Sequence, residues 1–429
     1  MKYIGFDVHK RIVVVCAVDA SGKVLFRESF PMTREALLKF AKEHLTSEDH
    51  IALEATTNCW AVVGVLAPLV ARVVVSNPLA TKAIAWARVK TDKVDSHTLA
   101  QLLRCDFLPS VWVPDAKTRE LRSLTTLRAG LVAERTRLKN RIHAVLAERL
   151  MPTEGVIQDG KIDLSYLKTV PLDDVGRLTM DIHLRRLDAV GDDIKLLDLE
   201  LTKRGYSDER VKLLITIPGV HVAVAESILA ALGDVHRFKD ADHAASYLGL
   251  VPRTIASAEK SYNGPITKAG RSHTRWMLVQ AAQHLANNPG PLGAFFKKIA
   301  KKKNRNVAVV AVARKLVVIA WHMLQNNEPY RYAQPVPTAK KLARLRLVAT
   351  GKRRKPGVPK GTEAKPKPVD GVHTRTIPSI DEVYKREGLP ALKPLQSPER
   401  RALKQAGVLG HCDAIHEEHV VPDSIKREA

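Results

Sequence analysis

The sequence predicts an α/β unit at its amino-terminal end, followed by a mostly helical remainder. Short β-branched runs alternate with helical spacing over residues 3–76, and long periodic helical segments begin near residue 115. The 429 residues exceed what one ordinary hydrophobic core contains, so two or three domains are expected. The fold class predicted is therefore α/β plus α.

The order of elements in the first part of the chain is specific. Ser21-Gly22-Lys23 is a turn between β-branched runs, and Thr33 is suited to cap a helix. Strands are predicted at 3–8, 12–18, 24–30, 51–54 and 72–76, and helices at 33–45 and 60–70. The order βββαβαβ followed by a further helix is that of an RNase H-like fold.

The rest of the chain divides by composition. Residues 115–150 and 165–204 have helical periodicity and predict either a coiled-coil stalk or an ordinary helical hairpin, with both alternatives open. A compact helical part follows, and the Pro- and Lys-rich segment after it predicts a disordered basic tail. The predicted domains are 1–114, 115–205, 206–330 and 331–429.

The composition indicates a class of partner. The formal charge is +24 and the isoelectric point is about 9.9, so the chain attracts polyanions, with nucleic acid as the leading partner and a ribosome- or membrane-surface role as the alternative. The four cysteines form no CxxC pair, which suits a reducing cytosol. The apolar stretches are shorter than a membrane span and no signal-peptide h-region is present, so a soluble cytoplasmic protein is expected.

Four carboxylates occupy positions that require a reason. Asp7 lies inside the first predicted strand, Glu54 ends an isolated strand, and Asp92 and Asp95 share one face of a helix at i and i+3. Carboxylates gathered at strand and helix ends repel each other unless a cation neutralises them. Hard oxygen ligands favour Mg²⁺, with Mn²⁺ as a substitute, and two such ions can support phosphodiester cleavage.

These residues carry a resemblance to a known family. The segments GFDVHK, LEAT and KTDKVD resemble the D, E, D and D positions of the DEDD transposases of insertion sequences. The resemblance implies a RuvC-like nuclease domain with Asp7, Glu54, Asp92 and Asp95 as metal ligands. The family often has Ser after the Asp-Val pair, whereas this chain has His9, which is interpreted as an exposed turn residue without a role.

Two other nuclease classes fit less well. DEDD exonucleases need Asp-x-Glu in the first strand, and this chain has Asp7-Val8-His9. Integrase-like enzymes end their acidic set on a helical Glu, whereas the final predicted helix here offers Asp92 and Asp95.

A second group of motifs lies between residues 213 and 275. Residues 213–234 resemble a helix-hairpin-helix whose turn amides hold a phosphate, although His221 replaces the usual small residue, so plain helix packing is an equal alternative. The block after Leu-Val-Pro resembles the family's serine-containing transposase domain. By that resemblance Ser257 attacks a DNA phosphate and forms a covalent link, with Ser261 as a rival because Ala258 replaces the family's Gly.

Basic and possible metal-binding side chains also occur near this serine and later in the sequence. Arg314 and Lys315 interrupt an apolar helix, and core packing with two cations at the surface is the first interpretation there, phosphate contact the second. His411, Cys412, His416 and His419 match no common zinc spacing and are interpreted as solvated tail. The predicted nucleic-acid contacts are Lys260, Lys268, Arg271, Arg275, Arg314 and Lys315.

The function expected from this resemblance is that of a DNA transposase/recombinase that mobilises an insertion sequence. It implies a composite site of four carboxylates and Ser257, a structured guide RNA that pairs with DNA, and a homodimer or homotetramer. A prokaryotic, nucleoid-associated location in the cytoplasm follows. The alternatives are a Holliday-junction nuclease that uses the carboxylates alone and a noncatalytic nucleic-acid-binding protein.

Overall fold

A computed structural model describes residues 1–84, 91–153, 157–158, 161–257, 260–352 and 374–422. The chain divides into two compact units, Met1–Asp115 and Ala116–Ala429. The first unit is α/β and the second is mainly helical, so the predicted combination of α/β plus α is confirmed at this level.

The first unit is built on a five-stranded mixed sheet with the strand order β3-β2-β1-β4-β5. β1, β2 and β3 are antiparallel neighbours, whereas β1, β4 and β5 run parallel. Its elements are β1 (Tyr3–Val8), β2 (Ile12–Val18), β3 (Val24–Pro31), α1 (Arg34–His44), β4 (His50–Glu54), α2 (Cys59–Leu66), β5 (Arg72–Ser76), α3 (Pro78–Ile84) and α4 (Asp92–Arg104).

Side-chain alternation assigns the two faces of this sheet to different helices. Ile4, Phe6 and Val8 of β1 are buried in one cluster with residues of α1 and α2. The residues between them in β1 face α4, which packs across β1, β2 and β4. Leu99 and Leu103 of α4 form the apolar cluster on this second face, together with side chains of β4 and β5. The sheet is therefore covered by helices on both faces.

Gly5 allows α4 to approach β1 closely. A Cβ atom added at Gly5 would lie 2.0 Å from the carbonyl oxygen of Ser96 and 2.7 Å from the backbone nitrogen of Ala100. A side chain at this position would push the helix away from the sheet. The absence of a Cβ at residue 5 therefore sets the height of α4 above the strands.

The second unit begins with an antiparallel pair of long helices, α5 (Ala116–Ala147) and α7 (Asp174–Tyr206). The ion pair of Glu134 with Arg186 links them, and their apolar residues share one cluster that also contains Leu167. The helix predicted over 165–204 is interrupted after α6 (Leu164–Thr169), because Pro171 cannot continue a helix and Asp173 caps the next one. The pair is a hairpin within one chain; whether it also associates between chains stays a prediction.

A second, larger helical core completes this unit; one apolar cluster spans most of its helices, and Leu403 and Cys412 lie in a separate cluster. Its remaining elements are the short strands β6 (Ile157–Gln158) and β7 (Lys161–Ile162), α8 (Glu209–Ile215), α9 (Val222–Leu232), α10 (Ala241–Tyr247), β8 (Pro252–Ser257), β9 (Lys260–Ile266), α11 (Ser272–Gln283), α12 (Pro291–Lys302), α13 (Arg305–Asn326), α14 (Pro335–Thr350), β10 (Thr374–Ile377), α15 (Ile380–Glu387), α16 (Ser397–Gln405), α17 (Leu409–Ala414) and β11 (His419–Pro422).

The prediction of a disordered tail over 331–429 is wrong for residues 331–352 and 374–422. Leu342 and Leu345 of α14 and Ile380 and Tyr384 of α15 are buried in the same core as the preceding helices. The Tyr384 hydroxyl also donates a hydrogen bond to the carbonyl oxygen of Tyr330 at 2.7 Å. Lysines outnumber these few apolar residues, so the average composition of the segment predicted disorder. Residues 353–373, which contain much of the basic run, lie outside the described residues.

The histidines and cysteine near the end lie in helices and strands of the second unit, or next to them, although His416 and His419 are exposed as predicted. Cys412 is completely buried, and His416 Nδ1 lies 2.6 Å from Asp381 Oδ2. His419 Nε2 contacts the carbonyl oxygen of Ala414 at 2.8 Å. Within the described ranges, these side chains and His411 do not form a metal-binding group.

Among the residues that the structure describes, one helix, α13, is long and apolar enough by length and composition to cross a membrane. The prediction that every apolar stretch is too short is wrong for this helix. Half of its most apolar window is buried, and Val312, Leu316 and Val317 lie in the core of the second unit. It is therefore packed as a core helix, and no membrane role is indicated.

Replacing Gly5 should weaken the first unit. In Gly5→Ala the new methyl group meets backbone atoms of α4, and overpacking of this kind costs about 1–3 kcal/mol. We expect a lower melting temperature by calorimetry. The matched control is Gly64→Ala in α2, where no atom lies within 4 Å of the added Cβ, and helix propensity predicts a gain of about 1 kcal/mol. Equal melting temperatures for the two variants would contradict the close approach.

A buried glutamate in α9 predicts a pH dependence. Glu226 is 3% exposed, and burial, aided by the charge of Asp208, raises its pKa to about 8 from an ordinary value of 4.5. The folded state therefore holds a proton that the unfolded state loses, and stability falls as pH rises from 4.5 to about 8. The stability gain of Glu226→Gln over the wild type should grow across this range and then level off. Denaturant titrations at several pH values measure it, and a difference independent of pH would contradict the buried proton. The exposed Glu209 provides the control substitution to Gln.

Candidate active site

Two of the four predicted carboxylates stand at the ends of adjacent parallel strands. Phe6 of β1 and Leu53 of β4 form the last paired position between these strands, and both side chains are buried on the α1 and α2 side. Asp7 and Glu54 are the next residues of each strand, so both belong to the opposite face. The sheet register thus brings the two carboxylates to one edge, as their positions in the sequence predict.

The other two carboxylates lie in the first turn of α4. Thr91 caps this helix, and its side-chain oxygen accepts a hydrogen bond from the backbone nitrogen of Val94. Asp92 and Asp95 follow in the same turn, where the positive end of the helix dipole favours negative charge. Because α4 crosses the face of β1 that carries Asp7, this turn meets the strand end.

The tightest group at this place contains Asp7, Asp92 and His9. One ligand atom from each residue lies within 4.8 Å of the other two. His9 Nε2 lies 3.1 Å from Asp7 Oδ2 and 3.4 Å from Asp92 Oδ1. The backbone carbonyl oxygen of His9 also accepts a hydrogen bond from Asn58 at 3.3 Å, which links the segments that follow β1 and β4.

The electrostatics of Asp7 reflect this crowding. Burial raises the pKa of Asp7, and the negative charges of Asp92 and Asp95 raise it further, while His9 acts in the opposite direction. A carboxylate with a raised pKa beside two others is a group that a bound cation would stabilise. The oxygen-rich donor set therefore fits a hard divalent metal ion, and the imidazole of His9 adds one nitrogen donor.

The structure brings together only part of the predicted set at the shortest range. Asp7 and Asp92 belong to the tight group, and Asp95 is close enough for its charge to act on Asp7. Glu54 and Asp95 are outside that group, although Glu54 lies on the neighbouring strand end. His9 is exposed in the segment between β1 and β2, as predicted, and it also contacts two carboxylates, which that interpretation did not include. Its position two residues after Asp7 was the available signal.

Ser257 lies at the end of a β-hairpin in the second unit. It is the last residue of β8, and its Cα pairs with that of Lys260, the first residue of β9. Ala256 pairs in the same way with Ser261, so both candidate serines belong to the last two paired positions before the turn. The side chains of these residues lie outside the described part of the structure.

The other predicted basic contacts have definite structural environments. Arg271 donates a hydrogen bond to the Thr126 hydroxyl at 2.9 Å, and burial lowers its pKa, with a further contribution from the charge of Arg122. Arg275 donates to the carbonyl oxygens of Leu248 and Ala269 at 3.1 and 2.8 Å. These bonds hold the loop that precedes α11. A contact with nucleic acid remains a prediction for both arginines.

The remaining predicted cations are exposed or partly exposed. Lys268 is exposed in the loop after β9, with a backbone φ of 56°. Arg314 of α13 pairs with Asp242 at 2.9 Å, and its neighbour Lys315 is exposed. The surface positions of Arg314 and Lys315 agree with the interpretation of α13 as a core helix that carries two cations at the surface.

Two family models match this sequence. Residues 4–151 match DEDD_Tnp_IS110, described as a transposase, and residues 211–296 match a model described as the transposase IS116/IS110/IS902 family. Together the two segments cover more than half of the chain.

Curated relatives extend the match along most of the chain. The transposase for insertion sequence element IS1111A of Coxiella burnetii is 24% identical, over 77% of this chain and 92% of its own length. The transposase for element IS1328 of Yersinia enterocolitica is 28% identical over 54% and 72%. A pilin gene-inverting protein of Moraxella bovis is 27% identical over 76% and 97%.

The α/β unit, the helical second unit and these matches define the class of protein as a DNA transposase/recombinase. Within that class, the chain belongs to the IS110/IS116 family of insertion-sequence transposases.

Proposed function

We propose that this transposase cleaves and exchanges DNA strands with the help of Mg²⁺ held by Asp7, Glu54, Asp92 and Asp95. The observation that carries the proposal is the group of Asp7, His9 and Asp92 at the end of β1, together with the raised pKa of Asp7. A divalent ion bound there would polarise a phosphate and stabilise the leaving oxygen. Mn²⁺ could substitute, since both ions accept carboxylate oxygens.

An RNase H-like, RuvC-like fold is part of this proposal. The strand order β3-β2-β1-β4-β5 supports it, as do three antiparallel strands followed by two parallel ones. In this arrangement the first strand is central and carries Asp7. The neighbouring parallel strand carries Glu54, and α4 crosses the face that both carboxylates share.

The residues around the carboxylates would prepare the site for its substrate. The cap at Thr91 and the close packing over Gly5 fix the first turn of α4, so Asp92 and Asp95 are positioned before a ligand binds. The imidazole of His9 bridges Asp7 and Asp92 and reduces their mutual repulsion when it is protonated. Such positioning lowers the cost of assembling a charged site.

We further propose that Ser257 is the nucleophile of strand exchange. Its oxygen would form a bond to a DNA phosphorus atom while the bond from that phosphorus to a deoxyribose oxygen breaks, which gives a phosphoserine ester and a free hydroxyl. The serine proton passes to a base or water, and the leaving oxygen gains a proton. A hydroxyl of the recipient strand then attacks the ester and restores the serine. The hairpin position of Ser257 beside Lys260 supports this role, since a cation there could balance phosphate charge.

The partners proposed are DNA, a structured guide RNA and further copies of the chain as a dimer or tetramer. The charge of +24 supports polyanionic partners, and guide pairing would read sequence while the protein contacts the backbone. Predicted cations for those contacts are Lys268, Arg271, Arg275, Arg314 and Lys315. The name of the Moraxella relative, a pilin gene-inverting protein, supports site-specific rearrangement as the class of reaction. The cytoplasm of a prokaryote, at the nucleoid, is the location this function requires.

Removing one carboxylate charge should abolish recombination without lowering the stability of the fold. Asp7→Asn relieves repulsion from Asp92 and Asp95, so we expect an equal or higher melting temperature in EDTA together with loss of recombination. Glu54→Gln, Asp92→Asn and Asp95→Asn should also lose recombination without unfolding. The control is Asp19→Asn, which removes a carboxylate charge from the turn after β2, keeps an oxygen acceptor there and should leave recombination intact. Wild-type recombination in any two of the four variants would overturn the four-ligand site.

Ser257→Ala should lose strand exchange while the protein still folds and binds DNA. The variant removes one hydroxyl and no charge. Wild-type protein trapped during reaction should carry DNA on the peptide that contains Ser257, and the bond should survive denaturant, as mass spectrometry would show. The adduct should be absent in Asp7→Asn. An adduct on Ser261 would transfer the role to that residue, whereas full activity without any adduct would favour a metal-only junction nuclease.

A further inference from the structure

A large basic cavity lies within the second unit. Its volume is about 990 Å³, and it is bounded by α7, the turn between α8 and α9, the end of α11 and one side of α14. This size is within the range of ligand-binding cavities in proteins. The cationic or titratable nitrogen side chains in its lining are Arg128, Lys195, His221, His284, Lys340, Lys341 and Arg344.

The cations of α14 distinguish this cavity from an ordinary surface cleft. Asp198, the carboxylate in the lining, already pairs with Arg128. Lys340 and Arg344 are exposed and, in the part of the chain that the structure describes, have no carboxylate within ion-pair distance. Like charges placed around one concave surface repel each other and concentrate a positive potential. An anion in the cavity would relieve this repulsion.

Lys341 ties α14 to the turn between α8 and α9. Its Nζ donates hydrogen bonds to the carbonyl oxygens of Ile217 and Val220 at 2.8 and 3.2 Å, on either side of Pro218-Gly219. Gly219 has a φ of +78°, and an added Cβ there would lie 2.7 Å from the Ala281 carbonyl oxygen. The turn is therefore held in one conformation by a lysine from a distant part of the chain. Burial lowers the pKa of this lysine to about 7.

The end of α9 faces the same cavity. His221 is the N-cap residue, and its side chain makes no capping hydrogen bond, so the first-turn amides of the helix have no side-chain acceptor. Burial lowers the pKa of His221, and the nearby charges of Lys341, Arg344 and His284 lower it further. The helix dipole adds positive potential at this end. Cations and a helix N-terminus therefore converge on one cavity.

We infer that this cavity binds a phosphodiester group of nucleic acid, with Lys340 and Arg344 as the direct contacts and Lys341 as the residue that positions the turn. The inference rests on the proposed nucleic-acid function and adds a site to it. α14 lies outside both segments matched by the family models, so the contacts belong to a part of the chain without an assigned role. Helix-hairpin-helix turns have a small residue at the position of His221. The hydrogen bonds of Lys341 and the charges of Lys340 and Arg344 would compensate for this difference in phosphate binding.

The test uses the full chain and labelled oligonucleotides of one sequence as single-stranded RNA, single-stranded DNA and duplex DNA. Affinity is measured by fluorescence anisotropy at several salt concentrations for the wild type and for Lys340→Gln/Arg344→Gln. Each lost phosphate contact reduces the slope of log affinity against log salt by about 0.7 for single strands and about 0.9 for duplex DNA. We expect this reduction and at least tenfold weaker binding for one of the three probes, which identifies whether RNA or DNA occupies the cavity.

A matched control removes the same number of charges elsewhere. Lys39→Gln/Lys42→Gln changes two exposed lysines on α1 of the first unit and should leave the salt slope unchanged. A slope for the α14 variant equal to that of the control, while wild-type protein binds and recombines, would overturn the cavity but not the transposase function. Wild-type protein that binds none of the probes would instead count against the nucleic-acid function itself.

A second measurement does not depend on variants. Acetylation of Lys340 by a water-soluble reagent, quantified by mass spectrometry, should fall at least fivefold when the tightest oligonucleotide is bound. The exposed Lys39 provides the internal reference. Equal acetylation of Lys340 with and without bound oligonucleotide would contradict the proposed contact.

Discussion

The close packing of α4 against β1 over Gly5 is the constraint on which the candidate active site depends. The backbone of Ser96 and Ala100 occupies the space that any Cβ at residue 5 would fill. This contact sets where the first turn of α4 stands, and that turn carries Asp92 and Asp95. Asp7, two residues after the glycine on the same strand face, is thereby placed beside carboxylates that are far from it in sequence.

Two clusters among the described residues place like charges close together, and the sign of the charge differs between them. In the first unit, Asp7 has a raised pKa because it is buried close to Asp92 and Asp95. In the second unit, His221 has a lowered pKa because it is buried close to Lys341 and Arg344. Each cluster costs folding free energy unless an ion of opposite sign is bound. A divalent metal ion and a nucleic-acid phosphate are the ligands that we propose for the two clusters.

The described region after residue 330 is an integral part of the second unit. α14 and α15 contribute buried residues to the same core as α8–α13, and Lys341 bonds to the turn of the helix-hairpin-helix-like segment. Truncation before α14 would therefore remove part of a core and the support of a turn. The match to the second family model ends at residue 296. The helices α14 and α15, which supply these stabilising side chains, therefore lie outside the matched segments.

The sequence by itself determined the local features of this protein. β1, β2 and β5 have the predicted bounds, Thr33 caps α1, and Asp92 and Asp95 share the first turn of a helix, because hydrophobic period and capping are properties of neighbouring residues. Tertiary structure alone decided the contacts of His9 and the folding of residues 331–352 and 374–422 into the second unit. A histidine beside one aspartate in sequence gives no sign of a second aspartate from another element. Likewise, a few leucines in a lysine-rich segment fold only because an apolar surface built by distant helices is present to bury them.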